Sequence, residues 1–303
     1  MNDIKAYKKR NSLIELYRFF FAFNVIIGHG LFPIDIPYFG PARISVEIFF
    51  ILSGFLFFTS LKKLENMRIE SAVTTMLISK LKPLLVPMVI GMISNGIYNY
   101  LTDFKPVFEI FRYLWYIPAM LAIMLVYTVL RVSVKKDNLF HILIWSIFII
   151  STLLRFSGNE ALFYFDYIRS ASAVSLGMLI AQLPRLKFKF KILVWIMLLP
   201  VLMGVLYIVI CRLAEDSIGY EALLDLVLYP LLIYITFNID VHVPIFNYLG
   251  SLSFGLYAFQ CTARLIAYMG VPSRWIPFGF IVMAAVLEDM IKRIIKHKKE
   301  KRV

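Results

Sequence analysis

An arginine and a histidine lie within one otherwise apolar stretch near the N-terminus, "YRFFFAFNVIIGHG" at residues 17–30. Arg18 and His29 are eleven positions apart. On an α-helix, eleven steps of about 100° return to within roughly 20° of the starting direction, which places both side chains on one face, about 16 Å apart. A guanidinium binds phosphate through paired hydrogen bonds, and an imidazole accepts protons as a general base. The pair could therefore bind an anionic group at one end and perform chemistry at the other.

Glu47 lies in the outer part of the next apolar stretch, "RISVEIFFILSGFLFF" at residues 43–58. A carboxylate beside an imidazole fixes its tautomer and stabilises the imidazolium, so Glu47 is a candidate partner for His29. A structural interpretation is equally open. Arg18 could extend to the inner headgroups, His29 could bond to a neighbouring helix, and Glu47 could pair with Arg43 one helical turn earlier.

The composition indicates that membrane helices position these residues. The 303 residues are 60% hydrophobic and 16% aromatic, with a mean hydropathy of +0.78. Soluble globular chains are about 45–50% apolar, so this class is excluded. The net charge of +13 would suggest nucleic acid in a soluble protein. Here the basic residues lie in short loops and tails, where they indicate membrane orientation, and we expect no nucleic-acid partner.

Ten apolar stretches are long enough, or nearly so, to cross a hydrocarbon core, which needs about 20 helical residues. They are Leu13–Phe32, Ile44–Leu61, Met76–Leu101, Tyr113–Leu130, Leu139–Leu154, Ile168–Leu183, Ile192–Cys211, Leu223–Phe237, Ile245–Met269 and Trp275–Ile291. With a cytoplasmic N-terminus, 23 of the 32 Lys and Arg lie on the inner side, seven lie outside, and Arg18 and Arg264 lie within spans. The positive-inside rule thus predicts an all-α bundle of about ten transmembrane helices, a single domain over residues 1–303, with both termini cytoplasmic.

Four motifs, in order along the chain, resemble the acyltransferase 3 family. They are Arg-x10-His in the first span, an acidic residue before "FFILSGF" in the second, "YLWYIPAML" at residues 113–121, and "LGSLSFGLYAFQ" at residues 249–260. Members are bacterial integral-membrane enzymes that transfer acyl groups, most often acetyl, from coenzyme A to sugars of surface polysaccharides. The resemblance covers most of the chain. It implies a multi-pass protein of the bacterial inner membrane, and we expect none of the extracellular hydrolase-like domains that are fused to some relatives.

The resemblance implies acetyl-CoA or another acyl-CoA as donor, no metal, and a polysaccharide or lipid-linked glycan as acceptor, with membrane lipid around the protein. The arginine, histidine and acidic residue of the family correspond to Arg18, His29 and Glu47. We expect His29 and Glu47 to be catalytic and Arg18, Lys80 and Lys82 to bind the donor phosphates. The candidates for substrate binding are Ser53, Trp115, Tyr116, Gln260 and Arg264.

The chain departs from the family pattern at three places. Lys80 and Lys82 stand where arginines are common, and Tyr113 and Gln260 stand where histidines are frequent. These departures leave open an inactive scaffold with the same fold. A transporter or flippase of glycan intermediates is the alternative from another class, because it too would carry buried charges. Direct transfer, a covalent acyl-histidine intermediate and the oligomeric state are all left open by the sequence.

Overall fold

A computed structural model describes residues 11–32, 42–103, 115–157, 165–185, 217–239, 241–271 and 273–300. These residues form helices joined by turns, without a β-strand among them. The helices are α1 (Ser12–Gly28), α2 (Ala42–Leu61), α3 (Ile69–Leu81), α4 (Leu85–Asp103), α5 (Tyr116–Ser133), α6 (Asp137–Phe156), α7 (Phe165–Ile180), α8 (Ser217–Leu223), a π-helical turn (Leu224–Leu228), α9 (Tyr229–Phe237), α10 (Pro244–Tyr268) and α11 (Trp275–Glu300). All-α architecture is thereby confirmed for the described part of the chain.

The chain divides into two compact units. Unit 1 comprises Met1–Ala42, Leu85–Leu114 and Asp240–Val303, and unit 2 comprises Arg43–Leu84 and Trp115–Ile239. Unit 1 thus contains α1, α4, α10 and α11, whereas unit 2 contains α2, α3 and α5 to α9.

In unit 1, α10 packs against α1, α4 and α11. Small residues allow these close approaches: a Cβ atom on Gly250 would lie 2.7 Å from the Cα atom of Glu15, and one on Gly255 would lie 3.0 Å from that of Ala285. Close backbone approach through small residues is the usual means of helix association in lipid. The Ser94 and Thr262 hydroxyls, 2.7 Å apart, join α4 to α10.

Helices α1 and α10 run parallel with a fixed register. The Ser12 hydroxyl donates to Asn247 Oδ1 over 3.1 Å, a pair separated by 235 positions in the sequence. Glu15 and Gly250, which are in contact one turn later, have the same separation. The two helices therefore begin together and continue side by side, so that residues 235 positions apart lie at matching levels.

In unit 2, α7 packs against α2, α5 and α6. A Cβ atom on Gly54 would lie 2.1 Å from the Val174 carbonyl oxygen, and one on Gly177 would lie 1.9 Å from that of Ile51. Only glycine fits at these two positions. Hydroxyl contacts add to the packing, such as that of Tyr127 with Ser175 at 2.5 Å.

The third predicted span, Met76–Leu101, is divided in the structure. Helix α3 ends at Leu81 and α4 begins at Leu85. Pro83 lies at the break, where it lacks an N–H donor and its ring would clash with the carbonyl of the preceding turn. The seventh predicted span, Ile192–Cys211, lies outside the described residues. The other eight spans match helices of the structure to within a few residues at most ends, although α11 continues to Glu300, nine positions beyond its predicted end.

Two of the described helices, α5 and α6, are long and apolar enough to cross a membrane, or three spans result if α3 and α4 are counted as one. The total of ten spans thus stays a prediction. Helix α6 exposes one apolar face that suits contact with lipid, formed by Ile142, Trp145, Ile149 and Leu153.

Candidate active-site residues in each unit

His29 is held at the end of α1 by a glycine turn. The His29 N–H donates to the Val25 carbonyl over 3.1 Å, and Gly30 adopts a positive φ of 67°. Leu31 then donates back to Ile26 over 3.1 Å, which completes a Schellman cap. Glycine adopts this left-handed conformation without steric cost, so the sequence "HG" sets where α1 ends and where the half-buried imidazole lies.

Arg264 on α10 lies close enough to His29 to act on it electrostatically. The two residues are 235 positions apart, as the register of α1 and α10 requires. Tyr98 on α4 fixes the guanidinium: its hydroxyl lies 3.3 Å from Arg264 Nη2, and its ring centre lies 4.8 Å from the guanidinium carbon. Unit 1 therefore places a fixed positive charge beside the candidate base.

Gln260 lies one turn before Arg264 on α10. Its side chain is 1% exposed, and neither its amide nitrogen nor its amide oxygen has a hydrogen-bond partner among the described residues. A buried primary amide has two donor hydrogens and an acceptor oxygen to satisfy. The Gln260 amide therefore has unused hydrogen-bonding capacity among the described residues.

Arg18 already has an acidic partner within α1. Its Nη1 atom lies 2.9 Å from Glu15 Oε2, and its side chain is 32% exposed. Glu15 in turn is buried against Gly250 of α10. A phosphate could still reach the exposed part of the guanidinium, although it would share that charge with Glu15.

Glu47 lies at the centre of a buried ionic cluster in unit 2. Its Oε1 atom accepts a hydrogen bond from Arg169 Nε at 2.7 Å, and its Oε2 atom lies 3.3 Å from Arg155 Nη1. Arg155 also pairs with Asp225. These four side chains, which we call the ionic cluster, are at most 4% exposed. The ionic cluster thus contains two carboxyl groups and two guanidinium groups.

Asp225 belongs to the π-helical turn between α8 and α9. Single π-turns occur often at functional sites, where they re-aim a side chain. The Asp225 Oδ1 and Arg155 Nε atoms are buried without hydrogen-bond partners among the described residues.

Ser53, Trp115 and Tyr116 are neighbours of this cluster in unit 2. The Ser53 and Tyr116 hydroxyls lie 3.4 Å apart, and the Arg169 guanidinium lies 5.5 Å from the Trp115 ring centre. The Phe50 ring contacts both aromatic rings, with its centre 4.8 Å from that of Tyr116 and 5.6 Å from that of Trp115. Ser53, Trp115 and Tyr116 thus lie close together, and Arg169 links Trp115 to Glu47.

The two predicted phosphate-binding lysines lie at the end of α3. Lys80 is half-buried, with its Nζ atom 5.8 Å from the Phe57 ring centre, whereas Lys82 is exposed. A cavity of about 290 Å³ also opens in unit 2 beside Lys62 and Arg131. Arg131 is paired there with Glu65 and Asp137, so the positive charge of this cavity is largely neutralised.

A family model described as an acyltransferase domain matches residues 11–287. The chain belongs to the acyltransferase 3 family. The match begins before α1 and extends into α11, so it includes every predicted site residue. Comparisons with curated proteins and with solved structures found no match. The exposed apolar helix faces and this match together identify a membrane acyltransferase.

In this acyltransferase 3 protein, the predicted residues fall into two groups. Unit 1 brings His29 together with Arg264, and Gln260 precedes Arg264 by one turn. Unit 2 contains the others apart from Arg18, namely Glu47, Ser53, Lys80, Lys82, Trp115 and Tyr116. The predicted contact of Glu47 with His29 joins residues of different units and stays a prediction. The alternative pairing of Glu47 with Arg43 concerns a side chain outside the described residues.

Three members of the ionic cluster, Arg155, Arg169 and Asp225, are not among the predicted site residues. Arg155 and Arg169 are two of the seven basic residues that the predicted topology places on the outer side, and both are buried. Asp225 carried the signal that could have revealed it, since it is an acidic residue inside the predicted span Leu223–Phe237. An ionisable residue within a span needs a partner, and that rule would have selected it.

Proposed function

We propose that this membrane acyltransferase moves an acyl group, most simply acetyl, from acyl-CoA to a hydroxyl of a cell-surface polysaccharide or lipid-linked glycan. The protein would act in a bacterial inner membrane with both termini in the cytoplasm. Acyl-CoA is found in the cytoplasm, whereas surface glycans are often modified at the outer face of the membrane. A catalytic residue at the outer end of α1 and a phosphate-binding residue near its inner end suit this transfer.

His29 would act as the general base. As the acceptor oxygen attacks the thioester carbonyl, His29 takes the hydroxyl proton, and the carbonyl oxygen becomes an oxyanion. The oxyanion then collapses, the carbon–sulfur bond breaks, and the imidazolium returns the proton to the leaving thiolate. The products are an ester on the glycan and free coenzyme A, so atoms and charges balance.

Arg264 would stabilise the negative charge that develops in this step. A fixed cation stabilises a developing oxyanion more than it stabilises the neutral substrate, and it therefore lowers the barrier. Tyr98 holds the guanidinium in place before the substrate binds, which avoids reorganisation during the reaction. The observation that carries the proposal is that His29 and Arg264 lie at matching levels of two parallel helices of unit 1.

The donor would lie along α1. Arg18 would contact a phosphate near the inner end, and the pantetheine arm would extend toward His29, about 16 Å further along the helix axis. Lys80 and Lys82 remain further candidates for phosphate contacts, as point charges rather than bidentate donors.

Trp115, Ser53 and Tyr116 of unit 2 are the candidates for contacts with the acceptor. Trp115 has an aromatic ring that could stack on a sugar, while Ser53 and Tyr116 have hydroxyls for hydrogen bonds. Glu47 would hold its two arginine partners in place within unit 2. Its role as the direct partner of His29 stays a prediction from the sequence.

The experiment is an acyl-transfer assay with the purified protein in proteoliposomes. Acetyl-CoA labelled in the acetyl group is supplied together with glycan extracted from the native membrane. We expect label in alkali-sensitive esters of the glycan and release of free coenzyme A. A transporter or an inactive scaffold would give neither product, so the absence of both would contradict the proposal.

A further inference from the structure

The Gln260 side chain is a buried amide without a hydrogen-bond partner among the described residues. Burying a polar group in this way costs free energy that a leucine at the same position would not cost. No described residue offsets this cost by a hydrogen bond to the Gln260 amide. A group that arrives with a substrate would give the missing hydrogen bonds.

The register of α1 and α10 places Gln260 at the level of Val25, one turn before His29. Ser12 with Asn247 and Glu15 with Gly250 define that register at the start of the two helices. Gln260 therefore lies on the inner side of the candidate base, at about 6 Å along the helix axis. In the proposed donor path, the part of the pantetheine arm that precedes the thioester would lie at this level.

We propose that Gln260 binds the amide group of acyl-CoA that lies nearest to the thioester. This inference rests on the proposed donor and adds a binding contact to it. The Gln260 oxygen would accept from the N–H of that amide. The Gln260 nitrogen would donate to the carbonyl oxygen of the adjoining amide of the arm.

The chemistry of the pantetheine arm matches this position. Two methylene groups and the sulfur separate the nitrogen of its last amide from the thioester carbon, a span of about 5 Å when extended, which is close to one helical turn of about 5.4 Å. An amide held beside Gln260 would thus present its thioester at the level of His29 and Arg264. The contact would fix the position of the reacting carbon along α1.

An oxyanion contact is the competing role for Gln260, and it explains less. An oxyanion accepts hydrogen bonds only, so it would satisfy the Gln260 nitrogen and leave the oxygen unpaired. An amide has both a donor and an acceptor, which is the complement of a glutamine side chain. Arg264, beside His29, already offers a charged donor for the oxyanion.

The test measures binding of coenzyme A by calorimetry to detergent-solubilised wild type, Gln260→Leu and Gln182→Leu. Gln182 is the other glutamine of the chain, and its amide, just after the end of α7, donates to the Met178 carbonyl over 3.2 Å. We expect Gln260→Leu to weaken binding roughly 10- to 30-fold, as two hydrogen bonds of ordinary strength would. Gln182→Leu should bind like wild type. The unliganded Gln260→Leu protein should melt no earlier than wild type, because it loses an unpaired buried amide.

A second measurement needs no variant that might misfold. In a coenzyme A analogue, an ester replaces the amide nearest to the sulfur, which removes the N–H but keeps the carbonyl. Wild type should bind this analogue less tightly, whereas Gln260→Leu should bind both compounds alike. Equal binding of both compounds by wild type, or the same loss in wild type and variant, would overturn the inference and leave the proposed function standing.

Failure of the proposed function would look different. If the folded wild-type protein bound no coenzyme A at all, the proposed donor would be wrong, and so would the proposed role of Gln260.

Discussion

His29 and Arg264 lie at matching levels of two parallel helices. The residues are 235 positions apart, so no local motif links them. Their meeting depends on Ser12 and Asn247, which set the register of α1 and α10 at the opposite end. A change at the start of these two helices would therefore shift His29 relative to Arg264.

Arg264→Gln should lower kcat about 10²- to 10³-fold, the effect of losing one preorganised charged donor to an oxyanion. The Michaelis constant for acyl-CoA should change little, because the contact forms in the transition state. Arg274→Gln is the matched control, since Arg274 is exposed in the turn after α10. Steady-state kinetics with labelled acetyl-CoA gives both constants. A raised Michaelis constant with unchanged kcat would assign Arg264 to ground-state binding instead.

Arg18→Ala should raise the Michaelis constant for acyl-CoA roughly 10- to 100-fold, because a charge-assisted bond to phosphate is lost. The constant for the glycan should change less. Calorimetric titration of coenzyme A into wild type, Arg18→Ala and His29→Ala separates binding from chemistry, and His29→Ala should still bind. Unchanged binding by Arg18→Ala would move the phosphate contact to Lys80 and Lys82.

Asp225→Asn should destabilise the protein by about 2–3 kcal/mol, because the buried Arg155 would keep only Glu47 as a carboxylate partner. Asp289→Asn is the control: its partner Arg293 is 59% exposed, so its loss should cost about 1 kcal/mol or less. Thermal unfolding in detergent compares the two variants. Adding Arg155→Gln to Asp225→Asn should recover part of the loss. Strictly additive losses would show that the two side chains do not stabilise each other.

The C-terminus should be cytoplasmic, because 23 of the basic residues cluster on one side of the predicted spans and seven on the other. A reporter fused after Val303 that is active only in the cytoplasm should therefore give a signal. A reporter that is active only outside the cell should be silent. The reverse pattern would overturn the predicted orientation.

The lengths of the apolar runs and the placement of charge predicted the helices that carry the candidate site, because apolar length alone nearly defines a membrane helix. The first and ninth predicted spans agree with α1 and α10 within a few residues. Pro83 carried a signal for the break between α3 and α4, but the apolar run continues through it and concealed the break.

The ionic cluster of unit 2 could not be predicted in the same way. Glu47 meets Arg155 and Arg169 across 108 and 122 positions of sequence, and Asp225 lies in a π-turn that no periodicity reveals. Such contacts depend on helix packing rather than on spacing along one helix.

The central claim is that His29 is the base of acyl transfer. The measurement is the rate of acetyl transfer from acetyl-CoA to glycan by His29→Gln, with His242→Gln as the matched control on an exposed histidine. We expect the first variant to lose about 10²-fold or more in rate while still binding coenzyme A, and the control to match wild type. Transfer at the wild-type rate by His29→Gln, at equal membrane expression, would contradict the claim.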